Sequence, residues 1–302
     1  MHIPFGITFS PQQLSHLGLP VLASLKRACS FDFSHIRIGV QWSAVEKKPK
    51  QRDLEAVRTL LDCCELNHQS VVLTVGVKAP RWPEFYLPEH LQKLGINNSL
   101  FREHLLEYVQ HVVSELKTYG CITHWQVENE PLDPSGPKGM VVPEQLLREE
   151  VAVIRKLDTR PVILTLWANA MQARGTLEKL TTLADIVGLD LYYHQFVTRL
   201  LGKSIYTGPI ATKSFLQKKV AHSPTPLWIT ELQAEPWEAN MESYQSANPK
   251  SMSPELLANN VREALTLNPK VILFWGFEYW LWRERYCSDS RYVEYVSQLI
   301  SR

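Results

Sequence analysis

The 302-residue chain has little of several things that would settle its class early. It lacks a run of about 18 apolar residues, the length a helix needs to cross a bilayer. Its N-terminus shows no charged segment leading into an apolar one. It therefore reads as a cytoplasmic chain, or as an exported or membrane-anchored one whose leader has been removed. Charge of one sign is also missing. The 32 basic and 31 acidic residues give a formal net charge of +1 and no basic stripe, which argues against a nucleic-acid partner. Cysteine is sparse: Cys29, Cys63, Cys64, Cys121 and Cys287 are odd in number, too few for a disulfide scaffold, and show no C-x-x-C spacing. They are expected to pack as small apolar residues. No G-x-G-x-x-G or G-x-x-x-x-G-K-[ST] follows the first apolar run, so the usual nucleotide-binding sheet loses its support and no cofactor is implied. The ten histidines form no H-E-x-x-H, and there is no G-x-S-x-G elbow. Neither a metal site nor Ser-His-Asp hydrolysis is expected.

What is present is a regular alternation. Eight short apolar runs cover Phe5 to Phe9, His35 to Trp42, Val71 to Val77, Ile122 to Val127, Val162 to Trp167, Ile186 to Tyr192, Leu227 to Thr230 and Val271 to Trp275. Each is continuous, as in strands covered on both faces. Amphipathic segments lie between them. Asp53 can cap a helix whose Leu54, Val57, Leu60, Leu61 and Cys64 share a face. Leu105, Leu106, Val109, Val112, Val113 and Leu116 form a second such face, with Gly120 as its C-terminal stop. Pro143 introduces a third helix and Ser253-Pro254 a fourth, while 198–209 reads as a loop with its own short structure. Strict alternation without a linker or repeat points to an α/β fold, a (β/α)8 TIM barrel, with residues 1–302 as one catalytic domain.

Barrels of this kind place chemistry at the C-terminal ends of their strands. Those ends carry Arg37 and Trp42 on strand two, then Lys78 and Trp82 after strand three. Strand four brings Glu128, Asn129 and Glu130, and strand six Asp190 and Tyr192. Strand seven adds Glu231, Gln233, Glu235 and Trp237, and strand eight Trp275 and Trp280. Two carboxyls on facing strands, Glu130 and Glu231, suit retaining cleavage of a glycosidic bond, in which one protonates the leaving oxygen and the other attacks the anomeric carbon. Arg37 beside Glu231 would keep that carboxyl charged, and the charge would raise Glu130. Asn129 is placed to bind a sugar 2-hydroxyl, and the indoles to pack against sugar C–H faces. Glu128 reads instead as a buried carboxylate paired to an arginine, and Glu235 as either a site ligand or a partner of Arg81 or Arg283.

Asn129-Glu130-Pro131 resembles the acid/base motif of clan A retaining glycoside hydrolases. Ile229-Thr230-Glu231-Leu232 resembles their strand-seven nucleophile segment, with a T-E-L close to the family 10 xylanases. "WQVENEP" is similar to the strand-four signature of clan A β-galactosidases, and "DIVGLDLYY" to the clan's sixth strand. The resemblance implies that Tyr192 contacts the nucleophile; Arg37 and Trp275 match the strand-two arginine and strand-eight tryptophan. Runs such as "FGITFSP", "PRWPE" and "ELQAEPW" are similar to bacterial cellulase-like proteins of the clan, several of which carry a membrane anchor before the barrel. Two positions depart. Lys78 stands where families 5 and 10 usually have histidine, and Asp190-Leu191-Tyr192 where family 5 has His-x-Tyr.

The expectation is a retaining glycosidase acting on β-linked oligo- or polysaccharide. Glu130 would be its acid/base and Glu231 its nucleophile, with Arg37, Trp42, Lys78, Trp82, Asn129, Asp190, Tyr192, Gln233, Trp237 and Trp275 binding substrate. The partner implied is a carbohydrate, with no metal. Three rivals share the fold: a transglycosylase using the same glutamates, a carbohydrate-binding pseudoenzyme, and a metal-dependent barrel hydrolase.

Overall fold

The computed structural model describes residues 3–301 except 82, 135, 137–138, 174 and 209–211. Eight strands, β1 (Phe5–Phe9), β2 (Ile36–Gly39), β3 (Val71–Val75), β4 (Ile122–Val127), β5 (Val162–Trp167), β6 (Ile186–Leu191), β7 (Leu227–Gln233) and β8 (Ile272–Trp275), close into a barrel in the order β1-β8-β7-β6-β5-β4-β3-β2. All eight neighbouring pairs are parallel. This is the (β/α)8 barrel expected from the alternation. Among the described residues no helix is long and apolar enough to cross a membrane.

Period-two alternation splits each strand between two environments. Outward residues such as Ile7, Ile38, Leu73, Trp125, Leu164, Leu189, Ile229 and Phe274 join the large core beneath the helices. Inward residues form layers. The lower layer is apolar, with Val72, Ile163, Ile186, Trp228, Val271 and Leu273 packed together. Above it the interior turns polar, through Thr8, Arg37, Thr74, Gln126, Thr165, Asp190 and Thr230, all buried. The helices begin where local chemistry favours it. Asn98 accepts from the amides of Leu100 and Phe101 to start Ser99–Leu116, and Ser253 caps Pro254–Leu265 through Leu256 N. Asp53 accepts from Glu55 N at 2.9 Å, at the head of Glu55–Leu66.

Several boundaries differ from the sequence reading, each for a physical reason. Ser99–Leu116 ends before Gly120, whose amide instead donates to Glu65 Oε1 at 3.2 Å. β2 stops at Gly39 because Trp42 opens the short helix Trp42–Val45. β3 stops at Val75 because Gly76, at φ +130°, turns the chain out of the sheet. β7 continues three residues beyond Thr230, since Glu231 is buried with its charge already matched inside the barrel. The segment read as a loop is a two-stranded ribbon, Gln195–Leu200 antiparallel to Lys203–Thr207; its expected end at Pro209 lies outside the described residues.

Low in the barrel His35 and His124 pack edge-on, with ring centroids 5.3 Å apart, against Trp228. Burial pushes both imidazoles down to about 4, and His35 is lowered further by His124. Both folded values lie below the unfolded value near 6.5. Above that pH the rings are neutral in either state and the pair is silent. As pH falls from 6.5 toward 4 the unfolded chain takes up protons that the folded chain refuses, so stability drops, by roughly 1–2 kcal/mol for each ring. Denaturant unfolding at pH 7 and pH 4.5 should show this loss, and His124→Gln should remove more than half of it, because His124 also helps to lower His35.

Candidate active site

The functional side chains converge at the C-terminal mouth, where a turn on β4 and a register shift on β7 aim them. Glu128 and Glu130 both hold positive φ, +58° and +45°, a backbone that non-glycine residues seldom adopt. Hydrogen bonds hold that turn from two sides. Glu130 N donates to Thr165 Oγ1 at 2.8 Å, its carbonyl accepts from Lys78 Nζ at 2.7 Å, and Asn129 N donates to Lys78 O at 3.0 Å. Among the described residues Glu128 pairs with no arginine. Its carboxylate accepts from the amides of Val77 and Lys78 at 2.9 and 2.5 Å, tying the end of β3 to that of β4. Glu150 meets it from the helix Glu144–Leu157. Burial, and then the Glu128 charge, pushes Glu150 well above the ordinary carboxyl range. On β7 the pairing with β6 shifts between Ile229 and Glu231, which sets Glu231 opposite Asp190.

Arg37 is fully buried and held from three strands. Nε donates to Thr8 Oγ1 at 3.0 Å, Nη1 to Gln126 Oε1 at 3.2 Å, and Nη2 to Glu231 Oε1. The hydroxyl of Tyr192 donates to the other oxygen, Glu231 Oε2. Glu231 thus accepts at one oxygen from a guanidinium, which can only donate and carries the opposite charge, and at the other from a phenol, an arrangement suited to a carboxylate. Tyr192 stays protonated, because burial and the Glu231 charge push its phenol well above the usual range.

Glu130 and Asp190 face this charge. One carboxyl oxygen from each of Glu130, Asp190 and Glu231 lies within 4.8 Å of the other two. Burial raises Glu130 well above the ordinary carboxyl range, and Asp190, Glu231, Glu84 and Asp133 raise it further. Asp190, also raised well above its usual range by burial and then by Glu231, accepts from Thr230 Oγ1 at 2.6 Å. Two ionised carboxylates about 5 Å apart repel by roughly 3 kcal/mol at the effective dielectric of a protein site. Among the described residues the guanidinium in this cluster, Arg37, serves Glu231, which favours the protonated form of Glu130 and Asp190.

The other sequence-predicted residues divide. Trp275 is buried beside Tyr192, ring centroids 6.5 Å apart, and the Arg81 guanidinium lies over its indole at 4.2 Å. That face is therefore not a bare sugar platform. Arg81 is paired in turn with Glu235 and Glu278, so Glu235 takes the structural of its two readings. Trp237 remains 45% exposed with its edge against Tyr192 at 5.1 Å, open to a sugar ring. Asn129 is buried one residue before Glu130, its Oδ1 accepting from Gln126 Nε2 at 3.4 Å.

Three predicted residues do structural work. Trp42 points away into the core, stacked on Tyr108 at 4.9 Å with Nε1 on Glu46. Gln233 spends its amide on backbone, accepting from Tyr193 N and His194 N and donating to His194 O at 2.7 Å. Lys78 sits beneath the β4 turn on the carbonyls of Glu130 and Asp133. Trp280 donates to Ala234 O inside the core, and Trp82 lies outside the described residues.

Sequence reasoning missed Thr8, Gln126 and Thr165 and took Asp190 only for a sugar contact. The available signal was a polar residue at an inward position of an otherwise apolar strand.

No family model and no curated protein sequence matches the chain. Solved structures do. The exo-β-1,4-mannosidase Op5Man5 from Opitutaceae bacterium strain TAV5 superposes with a TM-score of 0.67 at 15% identity, covering 90% of this chain and 51% of that one. The present chain thus spans about half the length of that mannosidase. GH5_18 from Streptomyces cattleya, solved in complex with GlcNAc, gives 0.64 at 14% identity, over 91% of this chain and 70% of that one. The hyperthermophilic β-glucosidase from Pyrococcus furiosus gives 0.58 at 12% identity, over 91% and 86%. These likenesses establish the shared barrel.

The β3–β4 crossing depends on Gly76. A Cβ there would sit 2.4 Å from the Glu128 carboxyl carbon, at a φ of +130°. Gly76→Ala should cost about 2–4 kcal/mol in denaturant unfolding. Gly175→Ala, at φ +83° with open space around it, should cost only about 1 kcal/mol.

Proposed function

We propose that the protein is a retaining glycosidase acting on a β-linked, uncharged sugar. The observation that carries this reading is the distance between the Glu130 and Glu231 carboxyl oxygens, within 4.8 Å across the barrel mouth. Retaining enzymes hold their two carboxyls about 5–5.5 Å apart, whereas inverting ones leave about 6.5–9.5 Å for a water molecule. The charge assignment supports the same division of labour.

In the first step an ionised Glu231 oxygen attacks the anomeric carbon while the Glu130 carboxyl gives its proton to the departing glycosidic oxygen. The C–O bond breaks, the aglycone leaves as an alcohol, and the glycosyl group is held as an ester on Glu231. In the second step Glu130, now a carboxylate, takes a proton from water as the water oxygen attacks the same carbon. The ester bond breaks, Glu231 regains its charge, and the sugar leaves with its original β configuration. Arg37 and Tyr192 hold Glu231 in line throughout, and Tyr192 can shift its hydrogen bond toward the ring oxygen as charge leaves the carboxylate.

A neutral substrate suits the local charge balance. Arg37, Lys78 and Arg81 are all committed to protein carboxylates or carbonyls. Names among the structural neighbours, a β-mannosidase and a β-glucosidase, support β-linked hexosides as the first panel to assay. Three carboxyl oxygens also form a donor set for a hard cation, but Arg37 sits inside this cluster and two of its carboxyls keep protons.

Incubation with a 2-fluoro-glycoside bearing a good leaving group should label Glu231, located by peptide mapping. Glu130→Ala should lose activity on poor leaving groups and regain it with azide, giving the β-glycosyl azide; product of inverted configuration would contradict the mechanism. A pH profile tests the coupling. As pH rises Asp190 competes with Glu130 for ionisation, and its charge, once formed, holds the proton on Glu130; Asp190→Asn removes that competitor and lets Glu130 lose its proton at lower pH. The alkaline limb of kcat/KM should move acidward by about one unit.

A further inference from the structure

A second cluster of ligand-type side chains shares no residue with the catalytic site. Glu46 opens the hairpin Glu46–Lys48/Gln51–Arg52 that follows β2. His90 lies in the 3-10 turn Glu89–Leu91 beyond β3, and His104 in the second turn of Ser99–Leu116. One ligand atom from each lies within 4.8 Å of the other two.

Glu46 is fully buried, with its oxygens unequally used. Oε2 accepts from Arg52 Nε at 2.7 Å and Trp42 Nε1 at 3.2 Å, while Oε1, among the described residues, accepts from the Lys50 amide at 3.0 Å. Burial opposes its charge, but Arg52, the Lys50 amide and Trp42 together hold the carboxyl below its ordinary range. The free side of Oε1 faces His90 Nε2, 3.3 Å away, without hydrogen-bond geometry. Both ring nitrogens of His90 and Nδ1 of His104 are shielded from water, with no hydrogen-bond partner among the described residues. A hydrogen bond from His90 to Glu46 would use one nitrogen and leave the others. A single ion among the three side chains would engage a lone pair from each imidazole.

We propose that Glu46, His90 and His104 bind a divalent transition-metal ion, zinc in the first instance, joining the loop after β2 to the loop and helix after β3. The 3.3 Å between Glu46 Oε1 and His90 Nε2 suits this geometry. Two ligands each about 2.0 Å from a tetrahedral zinc are themselves about 3.3 Å apart. The donor set selects the metal. Two imidazoles favour zinc, cobalt or nickel, and one carboxylate already shared with an arginine is a poor offer to calcium or magnesium. The surround is close to neutral: Arg52 and Lys50 both reach Glu107, at 3.6 and 3.3 Å. Affinity would therefore come from coordination more than from charge. His90 is partly exposed, which gives the ion its way in.

The test uses the full chain, stripped with a chelator, dialysed and titrated with Co2+ and then Zn2+. One-to-one binding is expected, with ligand-field bands of low-coordinate cobalt that zinc displaces. X-ray absorption of the zinc-loaded wild type should show imidazole scattering, a readout that needs no variant to fold. His90→Ala and His104→Ala should each weaken binding by about tenfold or more, and Glu231→Gln should leave it unchanged. Absence of binding overturns the proposal, as does oxygen-only scattering. Binding that survives both histidine variants and disappears in Glu231→Gln overturns it too, by assigning the ion to the catalytic carboxyls.

Discussion

One guanidinium stands against three buried carboxyls at the top of this barrel. Arg37 donates to Glu231 and is braced by Thr8 and Gln126, so its charge is committed to a single partner. Glu130 and Asp190 lie within 4.8 Å of that partner and form no ion pair among the described residues. Ionising either would cost both burial and repulsion, and each is raised well above its ordinary range. The same imbalance divides one pair of glutamates into a charged group and a protonated one, the difference that general-acid and nucleophilic roles require.

The scaffold beneath the pair is built to tolerate strain. Positive φ at Glu130 costs on the order of 1 kcal/mol, and the chain offsets it by giving both of that residue's backbone groups strong partners, Thr165 and Lys78. Glu128 receives the amides freed where β3 ends. Lys78 thus supports the backbone that presents Glu130, and Gln233 likewise locks the ends of β6 and β7 through His194.

Much of this was legible from the sequence. Continuous apolar runs separated by amphipathic ones gave the barrel, because strands covered on both faces cannot alternate visibly. Polar residues at strand ends located Glu130, Glu231, Arg37 and Tyr192, which the fold brings together. What strand-end reasoning could not decide was direction. Trp42 begins a helix and turns into the core, and Gln233 is consumed by backbone amides; both follow from local geometry that composition does not encode. Asp190 looked like a sugar ligand because nothing in its spacing reveals the β7 register shift that sets Glu231 opposite it. His90 and His104 were invisible as a pair for a related reason. Fourteen residues, a 3-10 turn and a helix start separate them along the chain, and they meet only across Glu46.

The distribution of protons among the three carboxyls can be read directly by infrared difference spectroscopy, comparing the free enzyme at neutral pH with single variants. The account predicts that Glu130→Gln and Asp190→Asn each remove a protonated-acid C=O band, whereas Glu231→Gln removes only carboxylate absorption. An acid band that vanishes with Glu231→Gln and persists in the other two would contradict it.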